Sequence, residues 1–387
     1  MSKATILVVM DYYLPSYKAG GPIRSISNMV GRLAAEFDFY IVARDRDCDE
    51  TRPFAGIETE RWLERDGYHV RYVRGPASLR QAFREVSFDL VYLNSFFSSF
   101  AITTLALRRL GQMRRTPVLL APRGELSGGA LGLKRTKKRL FLTLARWTGL
   151  HRGVIWQASS EMERQEIAAY SSGPARVTPN IPARVEVSPA DLERKPPKQS
   201  GQARFVFLSR LARKKNLDFA LRLLAEIEGR VVFDIYGTPE DPQYVDLCTD
   251  LMDRLPDNVE ARFLGPIPPD SVHETLLGYH FFLFPTLNEN FGHVILEALL
   301  AGLPVITSDQ TYWRDLERSA AGWDIPLDNR GEFLRRLGQC VSLDADGYRR
   351  ISASAQGLAG DYLKDPRAAE GTNRLLRDAA AGRLGGS

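Results

Sequence analysis

Two glutamates carry the most specific chemistry in this sequence. Glu289 sits in a polar loop after the apolar run 281–284, and Glu297 lies eight positions further on. The neighbours of Glu297 are Val294, Ile295, Leu296, Ala298, Leu299 and Leu300. A carboxylate in so apolar a helix is costly to bury unless something hydrogen-bonds it. Helical side chains lean towards the N-terminus, so Glu297 can reach back to the loop, and His293, four residues earlier, shares its face. A helix that starts near Phe291 presents unpaired amides in its first turn, and Gly292 lets an anion come close. Two carboxylates beside a phosphate-sized site suit a ligand with hydroxyls at both ends and a phosphate between, as in a nucleotide-sugar. Taken alone, the pair fits a helix cap and a solvated glutamate equally well. Its surroundings favour the ligand.

Upstream, a strand over 205–208 runs out into Ser209, Arg210, Leu211, Ala212, Arg213, Lys214 and Lys215, just before a helix from Asn216. An arginine at a strand end and a lysine five residues later can both aim at one diphosphate, whereas Arg213 and Lys214 read as surface charge. Near the start, Gly20 and Gly21 follow the first strand and open the first helix, which lets backbone amides approach a phosphate or sugar. That signal is weak by itself. Neither a G-x-G-x-x-G fingerprint nor a P-loop is present. The run Asp45-Arg46-Asp47 imitates a metal-binding D-x-D motif, yet its mixed-charge loop reads as a chance match, so no metal site is expected. Asp309 and Gln310 follow the strand 305–307 and can face the same ligand, while Trp313 reads as core.

The elements that must position these residues follow from the pattern. The chain has 387 residues, 44% hydrophobic and 26% charged, which suits two globular domains. Short β-branched runs alternate with helical periodicity: strands are expected near 5–10, 39–43, 69–73, 89–93, 117–121 and 154–157, with a helix from about Pro22. The alternation stops over 182–202, which is rich in proline, and then resumes with strands near 231–236, 259–264 and 281–284. The expectation is an α/β protein of two Rossmann-like domains with mostly parallel sheets facing a central cleft. Residues 1–185 form the first domain, 186–203 a linker, 204–365 the second, and 366–387 a closing helix and tail that can cross back to the first.

Cys48, Cys248 and Cys340 lie far apart and the five histidines are scattered, which excludes a zinc constellation and a disulfide scaffold and suits free thiols in a reducing cytoplasm. The net charge is +5, and residues 126–160 contain no Asp or Glu. Between Leu133 and Arg152, lysines and arginines mix with Leu, Phe and Trp at near-helical spacing, as in a helix that lies on an anionic membrane or one whose basic face is simply solvated. No stacking platform accompanies the charge, so nucleic acid is not expected.

In their order and combination these residues resemble the retaining GT-B glycosyltransferases of family four. Glu289 and Glu297, with Asn290, Phe291 and Gly292 between them, match the family's E-x(7)-E signature, and Arg210 with Lys215 matches its diphosphate pair. Asn216 stands where the family usually has glycine. Gly20 and Gly21 match the N-terminal glycine loop, and Gly237 and Gly265 fall at the family's strand-end glycines. Two histidines common in relatives are replaced here by Asn94 and Arg123.

The resemblance implies a UDP- or GDP-linked sugar as co-substrate, no further cofactor, and no metal. Glu297 would bind the ribose, Glu289 the donor sugar, and Arg210, Lys215 and the amides of Phe291, Gly292 and His293 the diphosphate. The donor set it implies also includes Gly20, Gly21, Gly237 and Asn290. The catalytic set is Glu289, Arg210, Lys215, Asn94 and Arg123, the last two orienting sugar or acceptor from the acceptor-side N-terminal domain. The expected activity is transfer of a hexose-type sugar to a glycan or lipid-linked oligosaccharide in surface polysaccharide biosynthesis, in the cytoplasm or on the inner face of the membrane. A sugar-phosphate transferase with a soluble acceptor, a nucleotide-sugar epimerase and a non-catalytic nucleotide-sugar-binding protein share the pattern.

Overall fold

Strand β1 (Ala4–Val9) shows why the first half of the chain must form a buried sheet. Ile6 and Val8 point into one apolar cluster and Leu7 and Val9 into another, and all four are buried. A strand apolar on both faces needs cover on both, the arrangement of a parallel sheet between helices. The structure, a computed structural model, describes residues 3–384 apart from 49, 114–115, 129–134 and 186. It divides into two units, Met1–Ala183 with Pro366–Ser387, and Arg184–Asp365.

In the first unit β1 is followed by α1 (Gly21–Leu33), β2 (Phe37–Arg44), β3 (Trp62–Arg65), β4 (Tyr68–Val73), α2 (Leu79–Glu85), β5 (Leu90–Asn94) and α3 (Ser99–Arg109). Then come β6 (Val118–Ala121), α4 (Arg135–Trp147), β7 (Ile155–Ala158), α5 (Glu161–Tyr170) and β8 (Ala175–Val177). The strand order is β3-β4-β2-β1-β5-β6-β7-β8, parallel throughout except for the β3–β4 pair.

The second unit runs α6 (Ala190–Glu193), β9 (Gln202–Leu208), α7 (Leu217–Leu224), β10 (Arg230–Tyr236), α8 (Pro242–Met252), β11 (Val259–Gly265) and α9 (Val272–Leu277). It continues with β12 (Phe281–Phe284), α10 (His293–Leu300), β13 (Val305–Ser308), β14 (Gly322–Ile325), α11 (Arg330–Ser342) and α12 (Ala345–Lys364). Its sheet is all parallel in the order β11-β10-β9-β12-β13-β14. The closing helix α13 (Arg367–Ala380) groups with the first unit, where Leu375, Leu376 and Ala379 are buried in the cluster that holds Ile6, Val8 and the inner face of α1.

Both sheets wind outward from a central strand in one direction and then start again on its other side. The reversal falls between β1 and β5 in the first unit and between β9 and β12 in the second. Loops at the carboxyl ends of such strand pairs diverge and leave a crevice, the usual ligand site of an open α/β sheet.

The proline-rich stretch 186–203, expected as a linker, is fastened to the second unit. Asp191 meets His273 at 2.8 Å, and the Lys198 ammonium donates to the carbonyls of Val341 and Leu343 at 3.0 and 2.7 Å. Three strands escape sequence periodicity. β3 and β8 are short edge strands with polar residues, and β14 begins at Gly322, whose φ of 140° and whose contact with the Val305 backbone exclude a side chain.

Candidate functional site

Arg210, Lys215 and Glu289 lie on the two loops at the β9/β12 reversal, whereas Glu297 lies on the helix that follows and Asp309 on the loop after β13. β9 ends at Leu208 and leads through Arg210 to a 3-10 turn, Arg213–Lys215, while β12 ends at Phe284 and leads through Glu289 to α10. The two loops are laced by backbone: the Leu287 amide donates to the Lys214 carbonyl at 2.9 Å, and the Thr286 hydroxyl to the same carbonyl at 3.1 Å. Asn216 adopts the left-handed conformation with φ 61°, which asparagine tolerates better than other side chains. Its amide donates to the Pro285 carbonyl at 2.9 Å, so the residue that departs from glycine supplies an extra tie.

This lacing brings Lys215 and Glu289 into a direct ion pair, with side chains only 10% and 17% exposed. Burial pushes the Glu289 carboxyl up, but the ammonium groups of Lys215 and Lys214, together with His293, outweigh it and hold the group below its ordinary range. The Glu289 amide donates to the Gln310 carbonyl at 2.8 Å, which joins the loop after β13 to the same site. At the helix tip, Gly292 caps α10 with φ 74° and no side-chain cap. A Cβ there would stand 3.1 Å from Cγ of Glu289, a tight contact, and at this positive φ glycine lets the carboxylate fold against the helix start without strain. The Asn290 amide donates to Glu289 at 3.2 Å. His293 and Glu297 occupy one face of α10, one turn apart and both partly exposed.

Other expected residues take different places. Helix α10 begins at His293 rather than at Phe291, because Phe291 packs among Tyr312, Trp313 and Tyr362 and its carbonyl accepts from the Trp313 indole at 2.8 Å. Arg210 is half-exposed and paired with Glu240 at 2.9 Å, while Lys215 pairs with Glu289. Gly237 is an architectural requirement: with φ 151°, a Cβ would lie 1.7 Å from the Ser209 carbonyl oxygen, where the chains leaving β9 and β10 touch.

In the first unit Gly20 caps α1 with φ 72°, and Gly21 is the first helical residue. The preceding loop is held by Asp47, which accepts from the Ser16 hydroxyl and from the amides of Tyr17 and Cys48 at 3.1 and 2.7 Å. Sequence reading missed that role, although Asp47 belongs to the D-x-D run. Its partner Asp45 is buried and pairs with Arg46 at 2.8 Å. Among the described residues no group of three or more His, Cys, Asp or Glu side chains is placed to hold a metal.

Asn94, at the end of β5, and Arg123, just after β6, do meet. The Asn94 carbonyl oxygen accepts from Nε and Nη2 of Arg123 at 3.1 and 2.7 Å. Arg123 also donates to Asn180 at 2.5 Å and to the Tyr92 hydroxyl at 2.8 Å. Tyr92 in turn donates to Gln157, whose amide donates to Thr178 at 2.6 Å. Burial raises the Tyr92 phenol and keeps it neutral. Tyr92, Gln157, Thr178 and Asn180 carry no spacing signal that sequence reading could have used.

The basic segment forms α4, and its first two residues, Leu133 and Lys134, lie outside the described residues. Phe141, Leu142 and Ala145 face the protein. The opposite face exposes Leu140, Leu144 and Trp147, the last 84% exposed, beside Lys137, Arg139 and Arg146. That face is apolar as well as basic. Among the described residues no helix is long and apolar enough to cross a membrane.

Comparison with known proteins bears on the family and the fold. Residues 190–355 match the family model described as glycosyl transferases group 1, and residues 20–181 match the glycosyl transferase 4-like domain. The chain is 33% identical over 108 residues, 27% of its length, to the gpi3 subunit of a fission yeast phosphatidylinositol N-acetylglucosaminyltransferase, of which the match covers 23%. It is 33% identical over 98 residues to the Escherichia coli O-antigen chain mannosyltransferase B, covering 25% of each. The chain thus spans about a quarter of the length of the curated relatives it matches. Among solved structures, Anabaena HepE in complex with UDP and glucose aligns over 98% of this chain and 100% of its own, with TM-score 0.67 and 16% identity. A sucrose-phosphate synthase from Thermosynechococcus elongatus aligns over 98% and 100%, with TM-score 0.71 and 16% identity.

Proposed function

The chain belongs to the GT-B glycosyltransferases, and from that premise we propose that it moves a hexose-type sugar from a UDP- or GDP-linked donor to a glycan or lipid-linked oligosaccharide, with retention of configuration, in surface polysaccharide biosynthesis. The observation that carries this reading is the Lys215–Glu289 pair at the sheet reversal, directly before the uncapped start of α10. Lys215 and Arg210, with the first-turn amides, hold the donor diphosphate, Arg210 exchanging its exposed partner Glu240 for phosphate. Glu289 accepts from hydroxyls of the donor sugar and Glu297 from the ribose. In the transfer, the bond from the anomeric carbon to the diphosphate oxygen breaks, and the acceptor hydroxyl attacks from the same face. Its proton passes to the departing phosphate, and cations and amides stabilise the negative charge that develops there without a metal.

Two relatives support a carbohydrate polymer or lipid-linked product: the O-antigen chain mannosyltransferase B and the gpi3 subunit. On this reading the exposed Leu140, Leu144 and Trp147, amid cations, rest on the inner face of the cell membrane, where lipid-linked acceptors are met.

A thermal-shift screen of the full chain with UDP, GDP and their sugars tests the donor assignment. A nucleotide at 100 times its Kd adds about 2.7 kcal/mol, or roughly 5–10 °C for a unit of this size. One base should give that shift, and EDTA should leave subsequent transfer unchanged. A flat response to both bases refutes the reading. Loss of transfer in EDTA, restored by Mn²⁺, refutes its metal-free part.

A further inference from the structure

Arg123 stands out in the first unit because its charge is met only by neutral oxygens. Four of its five N–H groups donate to Asn94, Asn180 and Tyr92, and no carboxylate among the described residues lies within ion-pair distance. The nearby acids are committed elsewhere. Glu163 accepts from the Gly124 amide, the Ser159 amide and the Ser159 hydroxyl, at 2.7 to 2.8 Å. Glu125 accepts from Ser95 and from the amides of Phe96 and Phe97. A second, independent observation points the same way. Asn94 is 3% exposed, and its side-chain nitrogen is a buried donor without an acceptor, because Arg123 fixes the amide with its oxygen turned to the guanidinium. Buried donors in native proteins are paired as a rule.

We infer that Arg123, supported by Asn94, recognises an oxyanion carried by the acceptor, a carboxylate or a phosphate, so that the acceptor sugar is acidic rather than neutral. The fifth Arg123 N–H, on Nη1, is the available donor, Asn94 holds the opposite edge of the guanidinium, and the neutral partners Tyr92 and Asn180 keep it in place without cancelling its charge. A carboxylate partner in their place would have oriented the side chain equally well and spent that charge. The inference rests on the glycosyltransferase reading only for the identity of the ligand as acceptor. The site lies wholly in the first unit, whereas the proposed nucleotide-holding charges lie in the second.

Calorimetric titration of the full chain with methyl glucuronide, glucose 6-phosphate and methyl glucoside, each with and without the nucleotide that binds, tests it. The anionic sugar should bind roughly 10- to 100-fold more tightly than the neutral one, the range of a charged hydrogen bond. Arg123→Gln should bring the ratio close to one, and Arg123→Lys should keep part of the preference. Nucleotide affinity, carried by the other unit, serves as the control for folding in both variants. The glucuronide and the phosphate arms separate the two sources of the oxyanion. Equal binding of all three sugars to the natural chain, or a preference that survives Arg123→Gln, overturns the inference. Inorganic phosphate binding in an Arg123-dependent way while no sugar does so also overturns it. An Arg123-dependent preference in a chain that binds neither UDP nor GDP supports the anion site and removes the donor reading instead.

Discussion

Replacing Lys215 with methionine should give a pH-dependent loss of stability whose sign is set by Glu289. The two side chains are 10% and 17% exposed, and removing one partner of a buried pair costs ~3–5 kcal/mol. Residual exposure, and the second ammonium at Lys214, place the expected loss near the lower end, about 3 kcal/mol near neutral pH. At roughly 2–4 °C per kcal/mol, that is about 6–12 °C in Tm. In the natural chain the Glu289 carboxyl lies below its ordinary value of 4.5, so its contribution is complete above that value and is lost as pH falls through the lower folded value. Without Lys215 the largest remaining influence is burial, which drives the carboxyl upward, so the variant takes up a proton on mild acidification and regains stability. Urea unfolding of both chains should therefore show a gap that shrinks towards about 1 kcal/mol near pH 4. A gap of the same size at both pH values would refute the claim that an ion pair, rather than packing of the lysine stem, holds the two loops.

Gly237→Ala forces a Cβ to within 1.7 Å of the Ser209 carbonyl and should cost at least about 4 kcal/mol or prevent folding, read from the denaturation midpoint or soluble yield; a natural midpoint would show that the loops part easily. Asn216→Gly keeps the left-handed turn and loses one hydrogen bond, so it should stay within about 1 kcal/mol of the natural chain, whereas Asn216→Val should lose about 2–3 kcal/mol and raise the KM for donor. Equal behaviour of the two would deny the turn its conformational role. The double change Leu144→Ser, Trp147→Ser should weaken binding to phosphatidylglycerol-rich vesicles by about 100-fold, roughly 3 kcal/mol of lost apolar burial, with unchanged solution Tm. Undiminished vesicle flotation would place the membrane contact elsewhere.

The central strands were readable because their burial is written in uninterrupted apolar runs. Residues 281–284, Phe-Phe-Leu-Phe, are apolar on both faces and form β12 without a shift of boundary. Edge strands lack that signal. β3 reads Trp-Leu-Glu-Arg and β8 Ala-Arg-Val, and each gains its conformation from one neighbour rather than from its own pattern. The start of α10 moved by two residues for a tertiary reason. Phe291 is held by the ring cluster around Trp313, and Gly292 turns left-handed after it, so local helix propensity never decided the boundary.

For the site, residue types were legible and partnerships were not. Lys215 and Glu289 are 74 positions apart, and neither spacing nor composition says that they touch. What joins them is topology: the chain starts a new run of strands at β12, which sets the loops after β9 and β12 side by side. In the first unit β1 and β5 are neighbours, so Asn94 ends the strand beside β1, with Arg123 one strand further along. Arg210 shows the limit of reading by type, since its partner Glu240 stands after the next strand, β10, on a loop that no motif marks. Asn216 shows the reverse. Its departure from glycine looked like a weakness in the pattern, yet the left-handed turn that glycine would permit is formed by the side chain most able to replace it, and the amide gained there ties β12's end to the lysine turn.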